Sequence, residues 1–292
     1  MIVVTGPTGN IGAKVLAHLA QGAEAVRAVV RNPEKIPAAL RARVEIVAGD
    51  YTDPAIVAKA FEGARAVFWL MLGDPRAVGA EAAFVDATRP AAAAMHAQGV
   101  AQVVTVSALG RGWPHAAGHA AASQRMDDLI AQSGVALRAL ACPSLMENVL
   151  RQVENIATRG VYFGVTPHAQ REPLCACADV AKAAADLLAD PDWRGVADVR
   201  LLGPEDISGD EIAAAMTDVL GRPVAYREMA VADLRAGMMA RGASPGMAQA
   251  MAEMMDAKIA GMDRVVPRDA TNTTPTRFRE WCDAVLKPAM PH

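Results

Sequence analysis

A glycine-rich segment near the beginning of the chain constrains its fold more than any other feature. The segment Gly6-Pro7-Thr8-Gly9-Asn10-Ile11-Gly12 lies between an apolar run at residues 2–4 and a helical pattern over residues 10–21. Glycines at this spacing allow a tight turn and a close approach of the backbone to a pyrophosphate, which the N-terminus of the next helix attracts. The alternative is a glycine-rich turn without a ligand, but a strand before it and a helix after it favour a dinucleotide site. We predict that the cofactor-binding residues here are Gly6, Thr8, Gly9, Asn10 and Ile11.

The remainder of the first half alternates short apolar runs with helical patterns. An uninterrupted apolar run at residues 66–72 is typical of a strand that is buried on both faces. Such alternation predicts a doubly wound α/β fold, in which helices connect the strands of a parallel sheet. The other predicted strands are residues 26–30, 44–47, 103–107 and 136–141, and the predicted helices include 54–62, 90–98 and 120–133.

The pattern becomes less regular after about residue 150. Helices are predicted at 179–188 and 209–220, with strands at 199–202 and 224–227. Residues 231–262 are helical in pattern, with a break at 242–245, and their methionines either line an adaptable apolar pocket or serve as ordinary packing. These methionines are Met238, Met239, Met247, Met251, Met254, Met255 and Met262. We therefore predict a Rossmann domain over residues 1–150 and a smaller, mostly helical, substrate-side lobe over residues 151–292.

The charge and hydropathy patterns exclude several kinds of partner. The net charge is −3, and no block of like charges forms a nucleic-acid surface. No stretch is long and apolar enough to cross a bilayer, and the first residues resemble a strand rather than a leader. We expect a soluble, cytoplasmic protein with a small apolar substrate, and a homodimer is compatible with these patterns.

The four cysteines predict no metal site. Cys175 and Cys177 are separated by one residue rather than the two of zinc knuckles, and no histidine pair completes a set of ligands. Together with Cys142 and Cys282, we expect them to be free thiols in the interior. Redox sensing is the alternative.

The residues after the second predicted strand indicate which nicotinamide cofactor is bound. NAD-binding proteins place an acidic residue there for the ribose hydroxyls. Arg31 stands at that place, and its guanidinium suits a 2′-phosphate, with Lys35 assisting. The alternative is that Arg31 is a solvated loop charge. Asp50, after the third strand, either approaches the adenine amino group or caps a turn.

These motifs resemble the NmrA-like branch of the atypical short-chain dehydrogenases/reductases. The resemblance covers most of the chain, and it implies a Rossmann fold that binds NADP(H). We also assign Leu70, Met71 and Pro143 to the cofactor site. The segments that carry the resemblance are Thr5–Gly12, residues 30–35, Gly49-Asp50, residues 104–107, Ser133-Gly134-Val135, Pro143, Glu147-Asn148 and residues 203–208.

The proton-donating dyad Tyr-x-x-x-Lys of typical short-chain dehydrogenases is absent. Four residues after Tyr51, Tyr162 and Tyr226 stand Ala55, Thr166 and Ala230. Ser107 ends the fifth predicted strand, and His119 begins the next helix at about the place of the family's tyrosine, with Ser123 on the same helix face. We predict Ser107 and His119 as the catalytic residues. His119 either donates a proton or only shapes the pocket.

The sequence thus favours an NADPH-dependent reductase that transfers hydride to a small apolar electrophile, namely a quinone, enone, imine or carbonyl. The family also contains members that bind the cofactor without turning it over. A redox sensor that acts through a protein partner is therefore the alternative function. No pair of acid and base supports an epimerase or lyase.

Overall fold

A seven-stranded parallel sheet forms the centre of the molecule. A computed structural model describes residues 1–291. The strands within the described residues are β1 (Ile2–Thr5), β2 (Val26–Val30), β3 (Glu45–Ala48), β4 (Ala66–Trp69), β5 (Gln102–Ala108), β6 (Ala136–Cys142), β7 (Ser144–Leu145), β8 (Val161–Gly164), β9 (Glu172–Cys175), β10 (Val196–Arg200), β11 (Asp206–Ile207) and β12 (Ala225–Glu228). The strand order of the large sheet is β10-β6-β5-β4-β1-β2-β3, and the parallel, doubly wound sheet predicted from the sequence is confirmed.

Helices cover both faces of this sheet and build most of the C-terminal part. The α-helices of the described residues are α1 (Gly12–Leu19), α2 (Ala38–Arg41), α3 (Pro54–Ala60), α4 (Ala87–Ala97), α5 (Gly118–Gln132), α6 (Val153–Arg159), α7 (Cys177–Ala189), α8 (Gly209–Leu220), α9 (Val231–Ala240), α10 (Pro245–Ile259), α11 (Phe278–Trp281) and α12 (Lys287–Ala289). Capping side chains fix some of their ends: Ser208 and Glu211 form a reciprocal cap at the start of α8, and Ser244 caps α10 just before Pro245.

Several predicted boundaries were wrong. The first helix begins at Gly12 rather than residue 10, because Thr8–Ile11 form the turns of the loop, where the Gly9 amide donates to Gly6 O at 3.1 Å. Strand β4 ends at Trp69 rather than residue 72. The short strands β7, β8, β9 and β11 were missed. Strands β7 and β11 have only two residues, and Gly164 in β8 and Pro173 in β9 are residue types that disfavour a strand pattern.

The two halves of the chain share the central sheet. Strand β10 comes from the second half, yet it pairs in parallel with β6, and α7 packs on α1. The division at residue 150 stays a prediction, while the smaller helical C-terminal part is confirmed. A separate core there is formed by Met146, Ile156, Met216, Phe278, Trp281 and their neighbours.

The predicted break in the methionine-rich segment is confirmed, and it lets α10 fold over the loops that follow β4 and β5. The Ser244 hydroxyl donates to Ala77 O at 2.5 Å, and a Cβ at Gly118 would overlap Ala250 O. Met247 and Met262 are fully buried in these contacts, so they serve packing rather than an open pocket. This arrangement encloses the carboxyl edge of the sheet beside β5.

Candidate cofactor and substrate site

The phosphate loop between β1 and α1 has the geometry that an anion requires. Gly6 has a φ of +61°, which favours glycine, and a Cβ at Gly12 would overlap the carbonyl of Gly6. Among residues 1–291, the backbone amides of Asn10, Ile11 and Gly12 find no acceptor. They lie at the start of α1, where the helix dipole adds positive potential. The loop therefore fits the pyrophosphate of a dinucleotide.

Gly9 has a different role from the other two glycines of the loop. A Cβ there would have Gly6 O as its nearest neighbour among the described residues, at 3.5 Å, which is an ordinary van der Waals contact. The protein alone therefore leaves room for a side chain at residue 9. Thr8 and Asn10 are exposed beside it, and Ile11 is buried under the loop.

Thr5 connects the loop to the next strand, a role that the sequence analysis missed. Its buried hydroxyl donates to Phe68 O and accepts from the Leu70 amide, both at 3.0 Å. This holds Leu70 against Gly6, where a Cβ would be 3.6 Å from Leu70 Cδ2. A threonine at the end of an otherwise apolar, buried strand must find hydrogen-bond partners, and this pattern could have indicated the role of Thr5. Leu70 and Met71 are buried at this edge.

Arg31 and Lys35 present two exposed cations close to the phosphate loop. Arg31 follows β2, the strand that pairs with β1, and Lys35 ends a short turn capped by Asn32, whose Oδ1 accepts from the Glu34 amide at 3.1 Å. Within the described part of the chain neither cation forms a salt bridge or a side-chain hydrogen bond. Both side chains therefore remain available to a phosphate group.

Asp50 caps a turn, which is one of the two roles considered for it. Its Oδ1 accepts from the amide and the hydroxyl of Thr52, at 2.9 and 2.8 Å. The neighbouring Tyr51 lies edge-on to Trp69, with 5.4 Å between ring centroids. Burial, and to a lesser degree Asp50, raises the pKa of Tyr51, while the charge of Arg31 opposes the shift. Tyr51 was not predicted as part of this edge.

Ser107 lies on β5 above a buried carboxyl group that the sequence analysis did not identify. Asp127, on α5, is 1% exposed, and Thr105 donates to its Oδ1 at 2.6 Å. The Ser107 hydroxyl is near enough to favour the charged form of the same carboxyl, but Oδ2 forms no hydrogen bond of good geometry within residues 1–291. Burial dominates and raises the pKa of Asp127 to about 6. Helix α5 contains both polar and apolar residues, so the sequence pattern did not mark Asp127 as a buried residue.

His119 is in the first turn of α5, as expected, but its ring packs against an aromatic side chain and forms no hydrogen bond with a hydroxyl group of the described residues. The ring is 5.7 Å from that of Phe84, and Nε2 is buried with no partner among the described residues. Burial lowers the pKa of His119, although the backbone of Met247 partly opposes this, so the ring is neutral at pH 7. Two other residues of this helix reach the end of β5: Ser123 Oγ accepts from the Ala108 amide at 3.2 Å, and Gln124 Nε2 donates to Ala108 O at 3.2 Å.

The structure also locates the remaining predicted residues. Pro143 is buried directly after β6. All four cysteines are free and buried, and burial raises the pKa of Cys175 and Cys282 to about 12, so these thiols are unreactive at neutral pH. In the described range, no cluster of histidine, cysteine and acidic side chains could hold a metal, and no helix has the length and apolarity to span a membrane.

Together the parallel sheet and the loop define a Rossmann-type dinucleotide-binding protein. Residues 6–191 match the model of a family described as NAD(P)H-binding. The chain belongs to this family, as a member of the NmrA-like atypical short-chain dehydrogenases/reductases.

Relatives with named activities match almost the whole chain. A (4-alkanoyl-5-oxo-2,5-dihydrofuran-3-yl)methyl phosphate reductase of Streptomyces griseus subsp. griseus is 33% identical over 96% of both chains. An NAD(P)H azoreductase of Xenophilus azovorans is 27% identical over 87% of this chain and 86% of its own. The solved structure of an NADPH-dependent quinone oxidoreductase of Escherichia coli complexed with NADPH has a TM-score of 0.78 at 24% identity, covering 98% of this chain and 99% of that one. The last likeness shows the shared fold.

Proposed function

We propose that this NAD(P)H-dependent oxidoreductase is an NADPH-dependent reductase that acts on a small apolar acceptor, with a conjugated carbon–carbon double bond as the preferred target. The observation that carries the proposal is the similarity to the Streptomyces reductase, which spans 96% of both chains and so includes the C-terminal helices that enclose the site. The name of that relative's substrate describes a 5-oxo-2,5-dihydrofuran that carries an alkanoyl group and a methyl phosphate. The ring alkene of such a compound is conjugated to carbonyl groups, and it is this alkene alone that the proposal extends to the present chain. Quinones, imines and carbonyls are the other acceptors of this class.

The choice of NADPH over NADH rests on the exposed cations after β2. Arg31 has no protein partner among residues 1–291, and a guanidinium matches the geometry of a phosphate. Arg31 would bind the 2′-phosphate and Lys35 would add to the local positive charge. The loop from Gly6 to Gly12 would hold the pyrophosphate. Leu70, Met71 and Pro143 would provide apolar walls, and Asp50 would stabilise the turn beside the adenosine.

The bound cofactor supplies the hydride, and the chain positions the acceptor and provides a proton. We assign the Ser107 hydroxyl to the acceptor's oxygen, because it lies at the carboxyl end of β5, the edge where ligands bind in such sheets. His119 has a neutral, half-buried ring between Phe84 and α10, which supports a role in shaping the pocket rather than in donating a proton. The absence of a Tyr-x-x-x-Lys dyad is no obstacle for acceptors whose reduced form takes a proton from water.

The test is oxidation of NADPH, followed at its absorbance, against a panel of unsaturated lactones, quinones, imines and aldehydes. We expect turnover with the conjugated acceptors and a much lower rate with saturated aldehydes. If NADPH binds tightly and no acceptor is reduced, the protein is a redox sensor, the alternative that the missing dyad favours. Homodimerisation and a cytoplasmic location stay predictions from the sequence.

A further inference from the structure

We propose that Asp127 is the proton reservoir of Ser107: it holds a proton beneath β5 and passes it to the serine hydroxyl when that hydroxyl protonates the reduced acceptor. Asp127 is thus a positioning residue that acts through Ser107. The proposal rests on the reductase function proposed above and adds the source of its proton.

The position of Asp127 in the fold allows contact with Ser107 but not with solvent. Thr105 and Ser107 point to the same face of β5, because side chains alternate along a strand. Helix α5 covers this face, where the Thr105 hydroxyl donates to the buried Asp127 carboxyl at 2.6 Å and Ser107 follows two residues further along the strand. With an exposed fraction of 1%, the carboxyl cannot act as a surface charge.

The surroundings of the carboxyl do not stabilise a full negative charge. Oδ2 is buried without a well-formed hydrogen bond, and a buried charge that lacks partners is costly. The only cation facing Asp127 among the described residues is Arg111, at 3.8 Å from Oδ2. Arg111 is shared with Asp128 on α5, at 2.7 Å, and with Asp198 on β10, at 3.1 Å. The negative charges of Asp128 and Asp198 offset the positive charge of the guanidinium. Arg111 therefore stabilises the Asp127 carboxylate only weakly, and a proton can remain on Asp127 near neutral pH.

The proposed transfer balances for the reduction of a conjugated double bond. The acceptor takes the hydride, with its electron pair, at one carbon, and the cofactor is oxidised. The Ser107 O–H bond breaks as its proton passes to the reduced acceptor, and the carboxyl O–H bond of Asp127 breaks to restore the serine. After the product leaves, a proton from solvent returns to the buried carboxylate through the Ser107 hydroxyl, which takes up that proton as it passes its own to Asp127. A carboxyl that titrates close to the working pH is well suited to this exchange.

The test compares D127N with the matched control D128N, using the full chain, NADPH and two acceptors: an alkanoyl-substituted unsaturated lactone and menadione. Asp128 is the neighbouring acid, is half exposed and also binds Arg111, but it does not face Ser107. We expect D127N to lower kcat for the lactone about 100-fold, within the usual range for general acids, with unchanged KM for NADPH. The loss with menadione should be below about fivefold, since its reduced anion can take a proton from water.

The pH profile separates a proton reservoir from a merely structural residue. Wild-type kcat for the lactone should fall as pH rises above about 6, because Asp127 ionises there. D127N should lose this limb. D128N should keep it but with a midpoint at lower pH, because without the Asp128 charge Arg111 stabilises the Asp127 carboxylate more strongly. A D127N variant that retains both kcat and the limb overturns the proposal, as does an equal loss with both acceptors.

A measurement that needs no turnover distinguishes this proposal from the proposed function. Carbon NMR of the Asp127 carboxyl should give a raised pKa in the wild type and a higher pKa still in S107A, because the serine hydroxyl favours the charged form. If no acceptor is reduced, the reductase function fails, but the coupling of Asp127 to Ser107 is still decided by this titration. An Asp127 pKa that S107A does not move refutes the coupling.

Discussion

The β1–β2 end and the β5–α5 end of the same sheet edge present different kinds of groups to a ligand. At the β1–β2 end the groups are backbone amides of the loop and the exposed cations Arg31 and Lys35. At the β5–α5 end they are side chains in the interior, with Asp127 and Thr105 beneath Ser107. The first end therefore depends on turn geometry, and the second on how a helix packs against a strand. Changes to the ligand-facing groups of the first end should lower cofactor affinity without affecting stability, whereas a change of Asp127 at the second end should alter stability without affecting cofactor affinity.

The largest effect is expected from Gly9→Val at the first end. The protein itself has room at this residue, but a bound pyrophosphate does not, so the variant should fold normally and lose NADPH affinity about 1,000-fold or more. Calorimetric titration and thermal unfolding check the two parts. Gly12→Ala is the contrasting variant, because its Cβ overlaps the Gly6 carbonyl and should destabilise the fold itself. Normal NADPH affinity in Gly9→Val would mean that the phosphates bind elsewhere.

The next effect arises at the second end and concerns the free energy of unfolding of the protein. The folded state raises the pKa of Asp127 from 3.8 to about 6, so the folded protein binds this proton more tightly than the unfolded chain does. The stabilisation of the folded state by this proton is about 3 kcal/mol. It is complete below pH 3.8 and is lost as the pH rises through 6. At pH 7, D127N should therefore have a larger free energy of unfolding than the wild type, and at pH 3.8 this advantage should vanish. Denaturant titrations at both pH values measure it; a D127N protein that is less stable at pH 7 would contradict the assignment.

Arg31→Ala should have a smaller effect, on cofactor affinity alone. A charge-assisted contact with a phosphate is worth about 1.5–3 kcal/mol, so NADPH should bind roughly 10- to 100-fold more weakly while NADH binding stays nearly unchanged. Because Arg31 is exposed and has no protein partner among residues 1–291, the melting temperature should not move. Equal losses of affinity for NADPH and NADH would show that Arg31 does not bind the 2′-phosphate.

The smallest effect is expected at His119. Its neutral, half-buried ring packs on Phe84, so His119→Gln should be nearly wild type, and His119→Ala should raise KM for the acceptor severalfold with kcat retained. Steady-state kinetics with the unsaturated lactone test this. A fall in kcat of about 100-fold in both variants would instead assign the acid role to His119.

The sequence by itself determined the fold class and the first end of the site. The spacing of Gly6, Gly9 and Gly12 after an apolar strand is a local property, because turn geometry and helix start depend on residues that are close in the chain. Alternating apolar runs and helical patterns likewise predicted the parallel sheet, although the ends of β4 and α1 were misplaced. The choice of Arg31 as a cofactor residue also needed only its place after β2, and it remains a prediction that the R31A experiment tests.

The tertiary structure alone decided the second end. The register of β5 against α5 brings Asp127, twenty residues after Ser107 in the chain, under that serine, and it turns His119 toward Phe84 and α10. Arg111, Asp128 and Asp198 meet there from a loop, a helix and a strand that are far apart in sequence. Burial and long-range charge set the protonation of such a group, and neither is encoded by the spacing of neighbouring residues.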